Sequence, residues 1–297
     1  MGLRGRSCEI KPVNDKSQTE IIIQPARGWL NIDWKGLIDY RYLLFLLVRR
    51  DFIARYKQTI LGPAWAILQP LLTTVIFTLV FGHITRIPTE GLPPMLFYLC
   101  SLLAWTYFSQ CVQSIASSFL GNAHLFSKVY FPRLIVPLSI LISNLFAFAL
   151  QLATFLAFYL YFKFATPVGA QMDFNRVIFW IPFLFIETAA LSLGIGLWIA
   201  ALTVKYRDLQ YLVPLGLQLW MYLTPVIYPL SSVPLKWQPV LILNPMTSVL
   251  ESFRYAFFGS GSLDPFSFFV SFGFVLIFLI IGLALFDKVE RTVVDTL

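Results

Sequence analysis

Residues 49–82 read RRDFIARYKQTILGPAWAILQPLLTTVIFTLVFG. The charges stop at Lys57, a Gly62-Pro63 pair follows, and from Ala64 to Gly82 there is no Asp, Glu, Lys or Arg. Crossing a hydrocarbon core of roughly 30 Å at 1.5 Å per residue takes about 20 apolar residues, so this run predicts a membrane-spanning helix over 64–82. Proline is well placed in the first turn of such a helix, and the glycine frees the angle of entry, so Gly62 and Pro63 are read as a helix break and a candidate hinge. Five further runs of the same kind lie at roughly 95–118, 134–162, 177–203, 210–228 and 266–286. The composition agrees: 58% of the 297 residues are hydrophobic and 12% charged, where a soluble domain is about a quarter charged. The expected fold class is an all-α polytopic membrane protein with six transmembrane helices, and a water-soluble fold is excluded.

Charge sets the expected orientation. Of the 22 Lys and Arg residues, 11 precede the first span. Placing the N-terminus in the cytoplasm puts 17 of them inside and five outside, the direction the positive-inside rule demands. Six crossings then return the C-terminus to the same side. The net charge of +7 is thereby read as topology, not nucleic-acid binding. The first thirty residues lack the basic start, apolar core and small-residue cleavage site of a signal peptide. Cys8, Cys100 and Cys111 have no metal-ligand spacing, and the last two sit in apolar runs, so neither a disulfide nor a metal site is expected.

Four parts follow: a cytoplasmic tail (1–32), an amphipathic interface helix with its link (33–63), the six-span domain (64–286) and a cytoplasmic C-terminal tail (287–297). Within 33–48 Asp33 can cap a helix, and Leu37, Ile38 and Phe45 fall at helical spacing. The basic flank at Arg49 to Lys57 would hold such a helix against anionic headgroups. Topology explains Arg50, Arg55 and Lys57 but needs no acid at Asp51, whose plain role is a pair with Arg55 four residues on, worth a few tenths of a kcal/mol. Segment 229–265 alternates Pro229, Pro234, Pro239 and Pro245 with apolar pieces too short to span. It is expected as a re-entrant element on the outer side, since irregular backbone at membrane depth must be buried in protein or line a wet cavity.

Chemistry-bearing motifs are few. No Gly-Lys dipeptide occurs, so a Walker phosphate loop is absent. His83 and His124 fall near opposite faces, and no catalytic cluster shares a loop. Glu187 is the one acid deep in a span. It could line a path, bond across helices or sit protonated and silent. Aromatic residues in the spans (Trp65, Tyr98, Trp105, Tyr107, Phe108, Trp220, Tyr222) are more often lipid belt or packing than ligand contacts. Yet flat rings suit a sliding sugar polymer, and Gln69, Thr73, Thr74 and Gln218 would make a wet channel wall.

The stretch from Arg50 to Trp65, with Gln69-Pro70-Leu71 after it, resembles the membrane subunits of ABC exporters for bacterial surface polysaccharides: O-antigen, capsule and teichoic acid. The likeness recurs at Lys128-Val129-Tyr130-Phe131-Pro132-Arg133-Leu134, at Tyr206-Arg207-Asp208-Leu209, and at Asn244-Pro245-Met246-Thr247 with Arg254, in order along the chain. It implies a homodimeric, multi-pass channel in the bacterial inner membrane, with no cofactor of its own. Two copies of a separate ATPase would bind ATP and Mg and supply the hydrolysis, and the cargo would be a lipid-linked polysaccharide. Docking and coupling would fall to Asp51, Arg55, Tyr56, Lys57, Asn122, Phe126, Lys128, Phe131, Arg133, Arg207 and Asp208. Trp65, Gln69, Thr73, Trp105, Tyr107, Glu187, Gln218 and Tyr222 would line the channel, with the first and fifth spans at the pore. Asn244, Pro245 and Arg254 would belong to the outer gate. Two rivals remain at this level: a permease for a small drug or lipid, and an intramembrane enzyme or scaffold, for which the outward acids Glu90, Asp173, Glu251 and Asp264 show no pairing.

Overall fold

The computed structural model describes residues 34–57, 59–122, 131–167, 179–259 and 264–296. Asp33, Phe126, Lys128 and Asp173 lie outside them. Among the described residues every regular element is helical. In chain order these are α1 (Trp34–Asp39), α2 (Arg41–Tyr56), a 3-10 turn (Gly62–Ala64), α3 (Trp65–Phe77) running into a π-helical segment (Thr78–Ile84), α4 (Pro94–Ala116), α5 (Ser118–Gly121), α6 (Ile135–Ala165), α7 (Ile181–Lys205), α8 (Leu209–Leu223), α9 (Gln238–Ile242), α10 (Pro245–Phe258) and α11 (Pro265–Thr296).

Five of these stretches are long and apolar enough to cross a membrane: Gly62–Ile84, Pro94–Ala116, Ile135–Ala165, Ile181–Lys205 and Pro265–Val289. The expected fifth crossing at 210–228 differs. Its helix α8 has 15 residues, about 22 Å at 1.5 Å each. The chain then turns irregular through Thr224, Pro225 and Val226, which are buried. The basic flank after Val48 continues the helix through Tyr56.

α4 is the centre of the bundle. Phe97, Tyr98, Phe108 and Ile115 are wholly buried along it, and it packs against α3, α6, α7, α8 and α10. Thr203 of α7 donates to the Ala116 carbonyl at 2.9 Å, satisfying an acceptor that the end of α4 leaves free. α7 and α11 make the tightest crossing: a Cβ at Gly194 would stand 2.6 Å from the backbone nitrogen of Leu279, and one at Gly282 would strike the Gly194 carbonyl. Glycine here lets two backbones touch, the usual way membrane helices gain dispersion contact where lipid removes the hydrophobic drive.

α3 carries Pro70 in its interior. Proline has no N–H, so the carbonyl of Ala66, four residues earlier, loses its helical donor. Gln151 of α6 supplies a substitute, its side-chain amide donating to Ala66 O at 3.2 Å. Thr74 meanwhile donates to the Pro70 carbonyl at 2.8 Å. The carbonyl that the proline leaves without its helical donor is thus satisfied by a side chain of the neighbouring helix.

Candidate functional site

Two polar clusters sit at opposite ends of the bundle. At one end α2 lies along α6. Asp51 does not pair with Arg55. It accepts from the adjacent Arg50 at 2.8 Å, and Arg50 also reaches Asn122 Oδ1 at 3.1 Å. Arg55 donates instead to Asn144 Oδ1 of α6 at 2.8 Å. Arg55 thus spends its donor on an amide oxygen of Asn144, itself 1% exposed, on the neighbouring helix. Phe52 and Tyr56 flank this contact, with Phe52 edge-on to Phe146 at 4.8 Å between centroids. Lys57, Arg207 and Asp208 are exposed at the same end. Phe131 and Arg133 are 6% and 7% exposed, so their side chains belong to this chain's own packing.

Between α2 and α3 the backbone of Gly62 takes φ +52°, a conformation that a side chain makes costly. Nothing lies within 4 Å of a Cβ built there, so the glycine serves the turn and not close packing. Pro63 follows in the first turn of the 3-10 segment.

At the other end α10 is almost wholly buried. Its Arg254 is 0% exposed. Nε and Nη2 donate to Ser101 Oγ of α4 at 3.0 and 2.7 Å, and Nη1 donates to Glu251 Oε1 at 3.0 Å. Nη2 also meets the carbonyls of Pro225 and Val226, where the backbone leaves α8. The guanidinium stacks on the Phe97 ring, 3.9 Å from its centroid. A buried cation is tolerable only when paired and fully hydrogen-bonded, and one planar fork here serves three elements at once. Burial pushes the Glu251 carboxyl up from its ordinary value, while the Arg254 charge opposes that shift. Asn244 caps α10 by accepting from Met246 N at 3.1 Å, accepts from Trp220 Nε1 at 3.1 Å and donates to Thr224 Oγ1 at 2.8 Å. The carbonyl of Pro245 accepts from Ser271 at 3.0 Å, the same hydroxyl that reaches Glu187 Oε1 at 2.8 Å. Glu187, 3% exposed, therefore makes a cross-helix bond to α11, the second of its three expected roles.

The expected channel residues divide. Trp105 and Tyr107 are 4% and 3% exposed and belong to the packing of α4: Trp105 meets Trp220, and Tyr107 meets Phe185 at 4.8 Å. Trp65, Gln69, Gln218 and Tyr222 are exposed, and Thr73 is half-buried beside them. On α3 the exposed stripe Trp65, Gln69, Leu72, Ile76 runs at helical spacing, and on α8 so does Tyr211, Leu215, Gln218, Tyr222. Between Phe266 and Ile281 the exposed face of α11 differs: Phe266, Phe269, Phe272, Leu276, Ile277, Ile280 and Ile281 are all apolar. Partners that sequence reading missed are Ser101, Asn144, Gln151 and Ser271. A polar residue inside an apolar run was the available signal for each.

The chain belongs to the ABC-2 type transporter membrane family, whose profile matches residues 42–258. Among its relatives is the O-antigen export system permease protein RfbA of Myxococcus xanthus, 33% identical over 227 residues, covering 75% of this chain and 83% of the relative. A protein of the same name from Klebsiella pneumoniae is 28% identical over 88% of this chain and 97% of its own length. The polysialic acid transport protein KpsM of Escherichia coli is 25% identical over 84% and 94%.

Proposed function

We propose that this chain is the permease subunit of an ATP-driven exporter that carries a lipid-linked, O-antigen-like polysaccharide outward across the inner membrane. The observation that carries the reading is the match to an O-antigen export permease over three quarters of the chain. The structure supports it through the two exposed stripes on α3 and α8, which combine rings with amides where the exposed face of α11 between Phe266 and Ile281 is hydrocarbon alone. A lipid-facing helix has no use for Gln69 or Gln218, whereas a wall along which a polymer slides needs weak, flat and hydrogen-bonding contacts.

In this proposal two copies of the chain enclose the pore with α3 and α8, and α8 with the irregular residues after it completes a sixth crossing. Both termini then lie in the cytoplasm, as the distribution of Lys and Arg demands. A separate nucleotide-binding subunit, two copies per assembly, binds ATP and Mg and docks on the α2 end, at Asp51, Arg50, Lys57, Arg207 and Asp208. Its motion would tilt α2 and pass through the Gly62-Pro63 turn into α3, while the Arg254-locked end forms the outer gate. Inactivating the ATPase encoded with this chain should leave polymer on the cytoplasmic side and strip it from the surface, as read by surface labelling and by analysis of lipid-linked polymer. Unchanged surface polymer would overturn the reading. Export of a small drug or lipid with normal surface polysaccharide would favour the first rival.

A further inference from the structure

We infer that Glu187 is a neutral carboxylic acid in the folded chain, and that its proton locks the start of α10 to α7 and α11. The inference rests on the export reading only where it treats α10 as part of the outer gate. The proton itself follows from counting hydrogens. Ser271 of α11 is 0% exposed, and its Oγ lies 2.8 Å from Glu187 Oε1 and 3.0 Å from the Pro245 carbonyl oxygen. A serine hydroxyl has one hydrogen to donate, whereas a backbone carbonyl and an ionised carboxylate have none. With Glu187 ionised, one of these two contacts would set lone pair against lone pair at hydrogen-bond distance. With Glu187 protonated both are bonds: Oε1 donates to Ser271, and Ser271 donates to Pro245.

The surroundings of the carboxyl group point the same way. Its other oxygen, Oε2, is shut off from solvent and has no hydrogen-bond partner among the described residues. A carboxylate spreads its charge over both oxygens and needs donors at each, whereas in the neutral acid Oε2 is a carbonyl oxygen whose missing partner is a smaller penalty. No cation stands in for those donors. On the helices packed against α7, Arg254 and Glu251 of α10 hold each other, Tyr107 of α4 donates to the Leu141 carbonyl at 3.3 Å, and Asp264 accepts from the first turn of α11. Among the described residues no charged group acts on Glu187. The chain of two bonds joins three helices at one point. Pro245 stands next to Asn244, whose side chain caps α10 and holds Trp220 and Thr224. Arg254 therefore fixes the later part of α10 to α4, and Glu187 fixes its start. Glu187 is a positioning residue for the outer end: ionised, it would compete with the Pro245 carbonyl for a single hydrogen, and one of the two ties would open.

The test is infrared spectroscopy on the full chain in lipid nanodiscs at neutral pH, taken as the difference between wild type and Glu187→Gln. The variant should lose a deuterium-sensitive stretch of a protonated carboxyl group and no carboxylate stretch. Loss of a carboxylate stretch instead would overturn the assignment. Hydrogen exchange across α10 tests the lock. Glu187→Gln should match wild type, because its amide N–H donates to Ser271 as the acid does, whereas Glu187→Met, of similar size but without a donor, should exchange about tenfold faster, as for one lost hydrogen bond. Equal exchange in the Gln and Met variants would remove the lock. Should the Met variant not fold, the infrared difference still decides the proton. Both measurements are made on the isolated chain and export is read on cells, so this inference and the export reading fail separately.

Discussion

Arginines tie distant helices together at both ends of this bundle, and the two ties are physically unlike. Arg254 is fully buried and spends its donors on Ser101, Glu251 and the carbonyls that end α8. Arg50 and Arg55 are exposed and reach single amide oxygens on Asn122 and Asn144. Removing one partner of a buried pair leaves a naked charge in a medium that cannot solvate it, whereas an exposed arginine that loses its partner is taken up by water. One end is therefore fixed by a large penalty for opening. The other can exchange partners at little cost, which suits a surface that a second subunit must push.

The largest effect should come from Arg254→Ala. Stranding Glu251 in the interior is expected to cost about 3–5 kcal/mol, seen as loss of monodisperse protein or a collapsed melt in detergent. Arg254→Lys keeps the charge but cannot span Ser101, Glu251 and the α8 carbonyls together, and should rescue only part. An unchanged melt in both would remove the distinction between the ends. Next in size is Asn244→Ala, which deletes the cap of α10 and its ties to Trp220 and Thr224, an expected loss of about 0.5–2 kcal/mol by the same melt.

Most of the helix plan was legible because it rests on length and hydropathy alone. In the 210–228 run the helix ends at Leu223, and Thr224 to Tyr228 continue its apolar composition with the backbone outside the helix. Composition carries no record of that departure. The Arg254–Glu251 pair stands at a spacing of three on a helix, so it was readable in principle. Its depth was not, because α10 is short and polar enough to resemble a surface helix. Trp105 and Tyr107 were assigned to the channel by residue type, and their burial against Trp220 and Phe185 is a property of how four helices converge. Asp51 was expected to pair along its own helix, but Asn144, eighty-nine residues from Arg55, offered a contact that no local rule contains.

Gly62→Ala comes third. With φ at +52° and open space around it, the methyl group meets no neighbour, so the cost is that of the backbone conformation, about 1 kcal/mol. If the turn is a passive connection, export should fall only as far as stability does. If it transmits motion from α2 to α3, export should fall well beyond what the small melting shift accounts for.

The smallest stability change, and the most discriminating, belongs to the loose end. Asp51→Asn and Arg55→Gln remove a pair and a tie that are each worth under about 1 kcal/mol at a solvated site. The purified variants should therefore melt within experimental scatter of wild type and insert in the same orientation, since the flanking Arg49, Arg50 and Lys57 remain. Were these residues only topological, ATP-driven export would also be unchanged. The coupling reading demands the opposite: normal abundance and melt, with the ATPase rate of the assembled complex no longer linked to polymer arriving outside. Measuring hydrolysis and surface polymer in the same strains separates the two, because orientation depends on summed charge while coupling depends on which residue stands where. The single variant Asn144→Asp, which places a carboxylate opposite Arg55, should tighten the loose end. Slower export at raised stability would then show that the weakness of this tie is what the machine uses.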